Sequence, residues 1–147
     1  MVYVIGVGHT VQWDKKLSWK ETIEFIAELE QLVIDLNIRL IAEEYSVEVV
    51  IREGIQSSTT KDIADKLKIP HRYCDPDKIE RAKIHYFSKN DDPIRLEYWL
   101  SKILDKILDP IIFVCGNDHK EEFASLVREK GYDTTVICKT FITSRDL

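Results

Sequence analysis

Cysteine is scarce in this chain, and its spacing predicts neither a cross-linked scaffold nor a thiolate metal centre. The three cysteines, Cys74, Cys115 and Cys138, are an odd number and form no Cys-x-x-Cys pair. That argues against a disulfide framework and against a cysteine-bound zinc ion. Cys115 and Cys138 fall in apolar runs, where a free thiol is an ordinary core residue.

Long apolar runs are also missing. The N-terminus has no basic region followed by an apolar stretch and a small-residue cleavage site, so the sequence predicts no signal peptide. No run approaches the roughly 18 apolar residues that a membrane-spanning helix needs. We therefore expect a cytoplasmic protein without a membrane partner.

Positive charge is in deficit, because 21 Lys and Arg stand against 26 Asp and Glu, for a formal net charge of -5. Nucleic-acid binding favours clustered Lys and Arg, so we expect no nucleic-acid partner. A composition of 44% hydrophobic and 32% charged residues is typical of a folded globular chain. A length of 147 residues predicts a single domain, and nothing in the sequence selects an oligomeric state.

Short apolar runs alternate with helical patterns along the chain. This alternation predicts a single three-layer α/β domain over residues 1–147, with a five-stranded, mainly parallel, doubly wound sheet. Residues 9–17 are expected to form a loop and 78–92 a long connection without a clear pattern. The strands are predicted at 2–8, 38–42, 69–73, 111–115 and 132–138, and helices at 18–36, 47–52, 57–67, 93–107 and 118–130. Ser18 and Asp118 are expected to cap the first and last of these helices, and Pro93 to open the fourth.

Two segments of the form Gly-x-x-His follow predicted strands. Gly6-Val7-Gly8-His9 comes after the first strand, and Gly116-Asn117-Asp118-His119 comes after the fourth. The carboxyl ends of parallel strands form the edge where α/β sheets bind ligands. If the strand order is 3-2-1-4-5, the first and fourth strands are neighbours, and His9 faces His119 across a shared crevice.

Acidic residues close two other strands, because Glu43 and Glu44 end the second and Asp75 follows the third. Imidazole nitrogens and carboxylate oxygens are the usual ligands of zinc, manganese and iron-type ions. The candidate ligands of a divalent metal are therefore His9, His119, Glu44, Glu43 and Asp75. The same groups could act without a metal, with a carboxylate orienting a histidine base that activates water. Asp75 could instead make a turn with Pro76.

Glycine and tyrosine add candidate ligand contacts at this edge. Gly6, Gly8 and Gly116 lack a Cβ, which permits a sharp turn and close approach of a ligand to the backbone. Tyr45 could donate a hydrogen bond to a developing oxyanion, or simply pack. His71 and His85 are interpreted as ordinary surface or core histidines.

The twin Gly-x-x-His motifs, with a glutamate closing the second strand, resemble the Tiki/TraB superfamily, which has erythromycin esterase and ChaN-like proteins as distant relatives. The resemblance implies a compact α/β catalytic core and, for several members, metal-dependent hydrolysis of peptide or ester bonds. It matches His9 and His119 to the two motif histidines. The glutamate falls on Ile41-Ala42-Glu43-Glu44, with Glu44 favoured because only one of the pair should face the site.

These observations predict a hydrolase that acts on a small-molecule or peptide substrate, with His9, Glu44 and His119 as catalytic residues. A divalent metal would lower the pKa of bound water and polarise the scissile carbonyl. The alternative hypothesis is a noncatalytic regulatory module that uses the same edge to hold a small anion or other ligand.

Overall fold

The computed structural model describes residues 1–14, 19–104 and 108–147. It confirms the α/β class, because one five-stranded sheet carries helices on both faces, and every strand pair in it is parallel. None of the helices within the described residues combines the length and the apolar composition needed to cross a membrane. The strands are β1 (Val2–Val7), β2 (Leu40–Glu43), β3 (His71–Tyr73), β4 (Ile111–Gly116) and β5 (Thr134–Phe141).

Serine and aspartate side chains begin several of the helices. Ser46, Ser58 and Asp77 each accept a hydrogen bond from a backbone N–H of the first turn, which satisfies a donor that the helix leaves unpaired. Ser18, predicted to cap the helix after β1, lies outside the described residues. The helices are α1 (His9–Trp13), α2 (Lys20–Asp35), α3 (Val47–Arg52), α4 (Thr59–Leu67), α5 (Lys78–Lys83), α6 (Asp92–Ile103) and α7 (Lys120–Glu129).

Three local expectations were wrong. Residues 9–13 form α1 rather than a loop, and 78–83 form α5 inside the supposed long connection. Each of these two helices contains only two apolar residues, too few for a repeating apolar pattern. Asp118 does not cap α7, because residues 117–119 form a 3₁₀ turn and His119 takes the N-cap position without a side-chain hydrogen bond.

Cysteine burial follows the sheet. Cys74 and Cys115 are buried, whereas Cys138 is exposed. The expectation that Cys138 is a core residue was therefore wrong. The physical reason is that β5 lies at an edge of the sheet, where most of its residues are only partly covered.

The two faces of the sheet carry separate apolar cores, as alternation along each strand requires. Val4 of β1 and Phe113 of β4 pack with residues of α6 and α7 on one face. Ile5 and Val114, their immediate neighbours in sequence, pack with α1, α2 and α4 on the other. Glu43 and Glu44 follow the same alternation, so their side chains leave β2 toward opposite faces.

The strand order is 3-2-4-1-5 rather than the 3-2-1-4-5 considered from sequence. The expected neighbours β1 and β4 are paired, with Val7 opposite Gly116, but β4 lies between β1 and β2. The connection after β1 must therefore cross β4 on the face of α1 and α2. The connection after β4 crosses β1 on the face of α7. The two strands consequently send their following segments toward opposite faces of the sheet.

The C-terminal segment folds back over the end of β1. The Asp146 carboxylate accepts hydrogen bonds from the Thr10 hydroxyl at 2.6 Å and from the Thr143 N–H at 2.8 Å. A Cβ at Gly8 would lie 2.0 Å from Oδ2 of Asp146. The space left by the missing side chain of Gly8 is therefore occupied by the Asp146 carboxylate. Contact of Gly8 with a ligand stays a prediction.

Asp146→Asn should destabilise the protein at neutral pH by about 1 kcal/mol, a value that allows for solvent screening of this partly exposed group. Burial alone would raise the pKa of Asp146, but the hydrogen bonds from Thr10 and Thr143 outweigh it and lower the pKa. A lowered pKa means that the stabilisation is present above the unfolded-state value and is lost as pH falls through the folded-state value. Urea unfolding at neutral and acidic pH should show a difference between the two proteins that shrinks in acid.

Gly8→Ala provides the matched test of this anchor, because its methyl group would displace the same carboxylate. The double variant should lose clearly less stability than the sum of the two single losses. Fully additive losses would show that Gly8 and Asp146 do not act through one contact.

Candidate active site

His9 begins α1 and is oriented by a chain of hydrogen bonds. Gln12 donates from Nε2 to Oε2 of Glu43 at 2.8 Å. The side-chain amide oxygen of Gln12, Oε1, therefore faces Nδ1 of His9, 2.7 Å away. Because a carbonyl oxygen only accepts, Nδ1 of a neutral His9 carries the proton and Nε2 keeps its lone pair. The His9 side chain is 51% exposed, so the imidazole is both oriented and accessible.

Glu44 lies beside that imidazole but is itself buried. Its Oε2 is 3.8 Å from Nε2 of His9, and the side chain is only 2% exposed. Oε1 accepts the N–H of Gly116 at 2.8 Å, and Oε2 accepts from Arg95 at 2.7 Å. A Cβ at Gly116 would lie 3.2 Å from Nε2 of His9 and 3.3 Å from Oε1 of Glu44. Glycine at this position is what lets the strand end come so close to both groups.

Asp75 connects β3 to the helices on the α6 face. Its Oδ1 accepts from Nε of Arg95 at 2.7 Å and from the indole of Trp99 at 2.9 Å. Oδ2 accepts from Arg81 at 3.1 Å. Burial alone would lower the pKa of Arg95, but the hydrogen bond to Asp75 and the nearby charges of Glu44 and Asp75 outweigh it and raise the pKa. Arg95 is therefore a permanent cation shared by two carboxylates.

Glu43 faces the other side of the sheet and forms a second polar cluster. The Glu43 side chain is 0% exposed and that of His71 is 4% exposed, so solvent reaches neither. Nε2 of His71 is 2.7 Å from Oε1 of Glu43, and the Ser58 hydroxyl donates to the same oxygen. Glu43 thus anchors Gln12, which in turn orients His9.

His119 lies against α6. Its ring meets the edge of Trp99 with centroids 5.7 Å apart. Within the described residues, no hydrogen bond, ion pair or ring contact joins His119 to His9 or Glu44. The connection between the two histidines runs through Glu44, Arg95 and Trp99. A catalytic pair of His9 and His119 stays a prediction.

Gly6, the remaining glycine of the first motif, lies close to the segment that follows β4. A Cβ there would come within 2.8 Å of the Lys120 side chain and 2.9 Å of Oδ1 of Asn117. Absence of a side chain at Gly6 therefore lets the two strand ends pack together. A contact between Gly6 and a ligand remains a prediction.

The five predicted metal ligands do not form one set in the structure. Glu43, Glu44 and Asp75 each use both carboxylate oxygens in hydrogen bonds to protein groups. Within the ranges that the structure describes, no group of three His, Cys, Asp or Glu side chains is arranged to hold a metal ion. A divalent metal held by these residues stays a prediction, and binding it would require carboxylates to leave their cationic and N–H partners.

A cavity of about 240 Å³ opens at this site, with His9, Glu44, Tyr45 and Arg95 among its walls. The hydroxyl of Tyr45 is buried and has no hydrogen-bond partner among the described residues. Burial, followed by the charge of Glu53 on the same cavity wall, raises the pKa of Tyr45. Tyr45 is thus a neutral donor whose hydroxyl hydrogen bond is not used by any residue that the structure describes.

Sequence reasoning did not select three residues that build this site: Gln12, Arg95 and Trp99. Gln12 stands three positions after His9, the spacing at which side chains of one helical turn meet. That signal was hidden because 9–13 was expected to be a loop. Arg95 and Trp99 share an i, i+4 face of α6, but only the tertiary structure shows that Asp75 lies opposite both.

Comparison of the chain with protein-family models, with curated proteins and with solved structures gave no significant match. The resemblance to the Tiki/TraB superfamily therefore stays a prediction that depends on the motif residues.

Proposed function

We propose that the protein is a hydrolase of peptide or ester bonds and that His9 is its general base. The observation that carries the proposal is the His9–Gln12–Glu43 chain, which places the proton on Nδ1 and leaves Nε2 basic. Nε2 would take a proton from water as the water oxygen attacks the scissile carbonyl. Glu44, 3.8 Å away, would stabilise the imidazolium that forms.

Tyr45 is proposed to bind the oxyanion of the tetrahedral intermediate. Its buried hydroxyl lacks a partner within the described residues, and its raised pKa keeps it protonated as a donor. The N–H of Gly116 does not serve this purpose, because Glu44 already accepts it. Collapse of the intermediate would pass the proton from His9 to the leaving amine or alkoxide, so that one water is consumed and a carboxylate is released.

The test is hydrolysis of nitrophenyl esters and aminoacyl nitroanilides by the wild type and by His9→Asn. Loss of a general base should lower kcat by about 10²–10⁴-fold. His85→Asn is the matched control, because His85 is exposed and has a φ of 59°, a conformation that asparagine tolerates. Equal turnover by wild type and His9→Asn would overturn the role of His9.

The metal-dependent, Tiki/TraB-like mechanism is the competing mechanism for the same reaction. It requires His119 as well as His9, and it requires bound metal. Stoichiometric metal in the purified protein, together with loss of turnover in His119→Asn and on chelation, would replace the mechanism proposed here. Full activity of His119→Asn, and full activity after chelation, would support His9 acting as a base without metal.

The noncatalytic anion-binding module remains the second candidate, because two partly exposed guanidinium groups, Arg52 and Arg81, line the same cavity. Absence of turnover by the wild type on the whole substrate panel would overturn the hydrolase proposal. Calorimetric binding of phosphate or acetate to that same preparation would favour the module.

A further inference from the structure

A second cavity adjoins the one that contains His9. It has a volume of about 420 Å³, and three residues, Val49, Arg52 and Arg81, line both cavities. The two spaces therefore meet at these side chains, between α3 and α5. We refer to the second cavity as the α3–α5 groove.

Charge in the α3–α5 groove is mainly positive. Arg52, Lys78 and Arg81 line it together with a single carboxylate, Glu48, and Glu48 already accepts the backbone N–H of Lys78 at 2.7 Å. Arg81 is held in place by Asp75 at 3.1 Å but is still 41% exposed. A fixed, accessible guanidinium beside two more cations favours an anionic group.

The rest of the α3–α5 groove is apolar and partly aromatic. Pro76, Ala82, Tyr86 and Phe87 line it. Phe87 is 73% exposed, and the ring of Tyr86 lies 5.3 Å from the guanidinium carbon of Arg81. An exposed aromatic ring beside oriented cations matches a ligand with an apolar group close to a negative charge.

We propose that the α3–α5 groove binds the C-terminal residue of a peptide or N-acyl amino acid whose side chain is aromatic or large and apolar. The carboxylate lies against Arg52, Lys78 and Arg81, and the side chain lies against Tyr86 and Phe87. The preceding amide then points through the junction at Arg52 and Arg81 toward His9. This substrate class depends on the proposed function for its chemistry, whereas its binding does not require turnover.

The hydrolytic step balances without a further reactant. The water oxygen forms a bond to the carbonyl carbon, and Nε2 of His9 takes the water proton. The carbon–nitrogen bond then breaks, and that proton goes to the leaving nitrogen. The products are a free carboxylate and the amino group of the terminal residue held in the α3–α5 groove.

Binding of 3-phenylpropionate, measured by titration calorimetry on the full chain, tests the proposal without any reaction. The neutral 3-phenylpropanamide and the ring-free propionate should each bind at least about tenfold more weakly, as loss of a charge-assisted hydrogen bond or of a buried ring implies. Arg52→Gln and Phe87→Ser should weaken 3-phenylpropionate by a similar factor. Lys83→Gln and Ile79→Ser are matched controls, since both residues are exposed on α5 and neither lines the groove.

The outcomes separate this inference from the proposed function. The inference is overturned if Arg52→Gln and Phe87→Ser bind 3-phenylpropionate as tightly as the wild type does. It is also overturned if the wild type binds 3-phenylpropanamide as tightly as 3-phenylpropionate. Unchanged binding by His9→Asn is expected, because His9 does not line the α3–α5 groove. Ester hydrolysis without 3-phenylpropionate binding would overturn the proposed substrate class and leave the proposed hydrolase activity standing. Binding of 3-phenylpropionate that depends on the groove residues, without hydrolysis of N-acetylphenylalanine or any other substrate, would overturn only the proposed hydrolase activity.

Discussion

Arg95→Met should lower the free energy of unfolding by about 3–5 kcal/mol, the range for removing one partner of a buried ion pair. Arg95 is 14% exposed and lies between Glu44, 2% exposed, and Asp75, 6% exposed, with 2.7 Å contacts to each. Its removal leaves two buried carboxylates without their shared cation. Urea unfolding followed by circular dichroism measures the loss.

A matched exposed arginine and a second-site change show whether the loss has this cause. Arg128→Met should stay within about 0.5 kcal/mol, because Arg128 is an exposed residue. Adding Glu44→Gln to Arg95→Met removes one of the stranded charges and should restore part of the lost stability. The shared-cation explanation is wrong if Arg95→Met is as stable as the wild type. It is also wrong if Glu44→Gln lowers the free energy of unfolding of Arg95→Met by as much as it lowers that of the wild type.

Glu43→Ala should cause a loss of similar size, about 3–5 kcal/mol. Glu43 is fully buried and receives hydrogen bonds from Gln12 and Ser58, while His71 lies 2.7 Å away. Truncation leaves these polar groups buried without an acceptor and opens a void. Glu30→Ala is the control, because its pair with Lys66 lies at the surface, where such pairs contribute at most about 1 kcal/mol.

Glu43→Gln separates the structural part of this effect from orientation of His9. The variant keeps the volume but replaces one acceptor by a donor, so it should cost less stability, about 1–3 kcal/mol. Gln12 then loses its charged anchor, and the orientation of His9 weakens. We expect kcat of Glu43→Gln to fall with little change in KM. Unchanged kcat would show that Gln12 orients His9 without Glu43.

Local pattern was sufficient for most of the secondary structure. The helix predicted at 47–52 is α3 with those same bounds, and Pro93 lies in the first turn of α6 as expected. Amphipathic spacing encodes such elements because each is stabilised by one apolar face. The helices at 9–13 and 78–83 were missed because each contains only two apolar residues, whereas α3, which is no longer than α5, contains four.

For the candidate site, the sequence predicted where single residues lie but not which groups they contact. Strand ends placed His9, Glu44 and Asp75 at the carboxyl edge, and alternation implied that Glu43 and Glu44 separate. What each group contacts was not predictable, because Arg95 and Asp75 are 20 positions apart and Gly116 and Glu44 are 72 apart. No short-range pattern reports a pairing over such distances.

The sequence by itself determined an α/β domain with five strands and two Gly-x-x-His segments at strand ends, because apolar periodicity and glycine positions are local properties. Only the tertiary structure decided the strand order and the different contacts that His9 and His119 make. Insertion of β4 between β1 and β2 depends on complementary packing between distant segments, such as Val2 with Ile111 and Leu40 with the same residue. That packing places His9 over Gly116 and Glu44, and places His119 against Trp99.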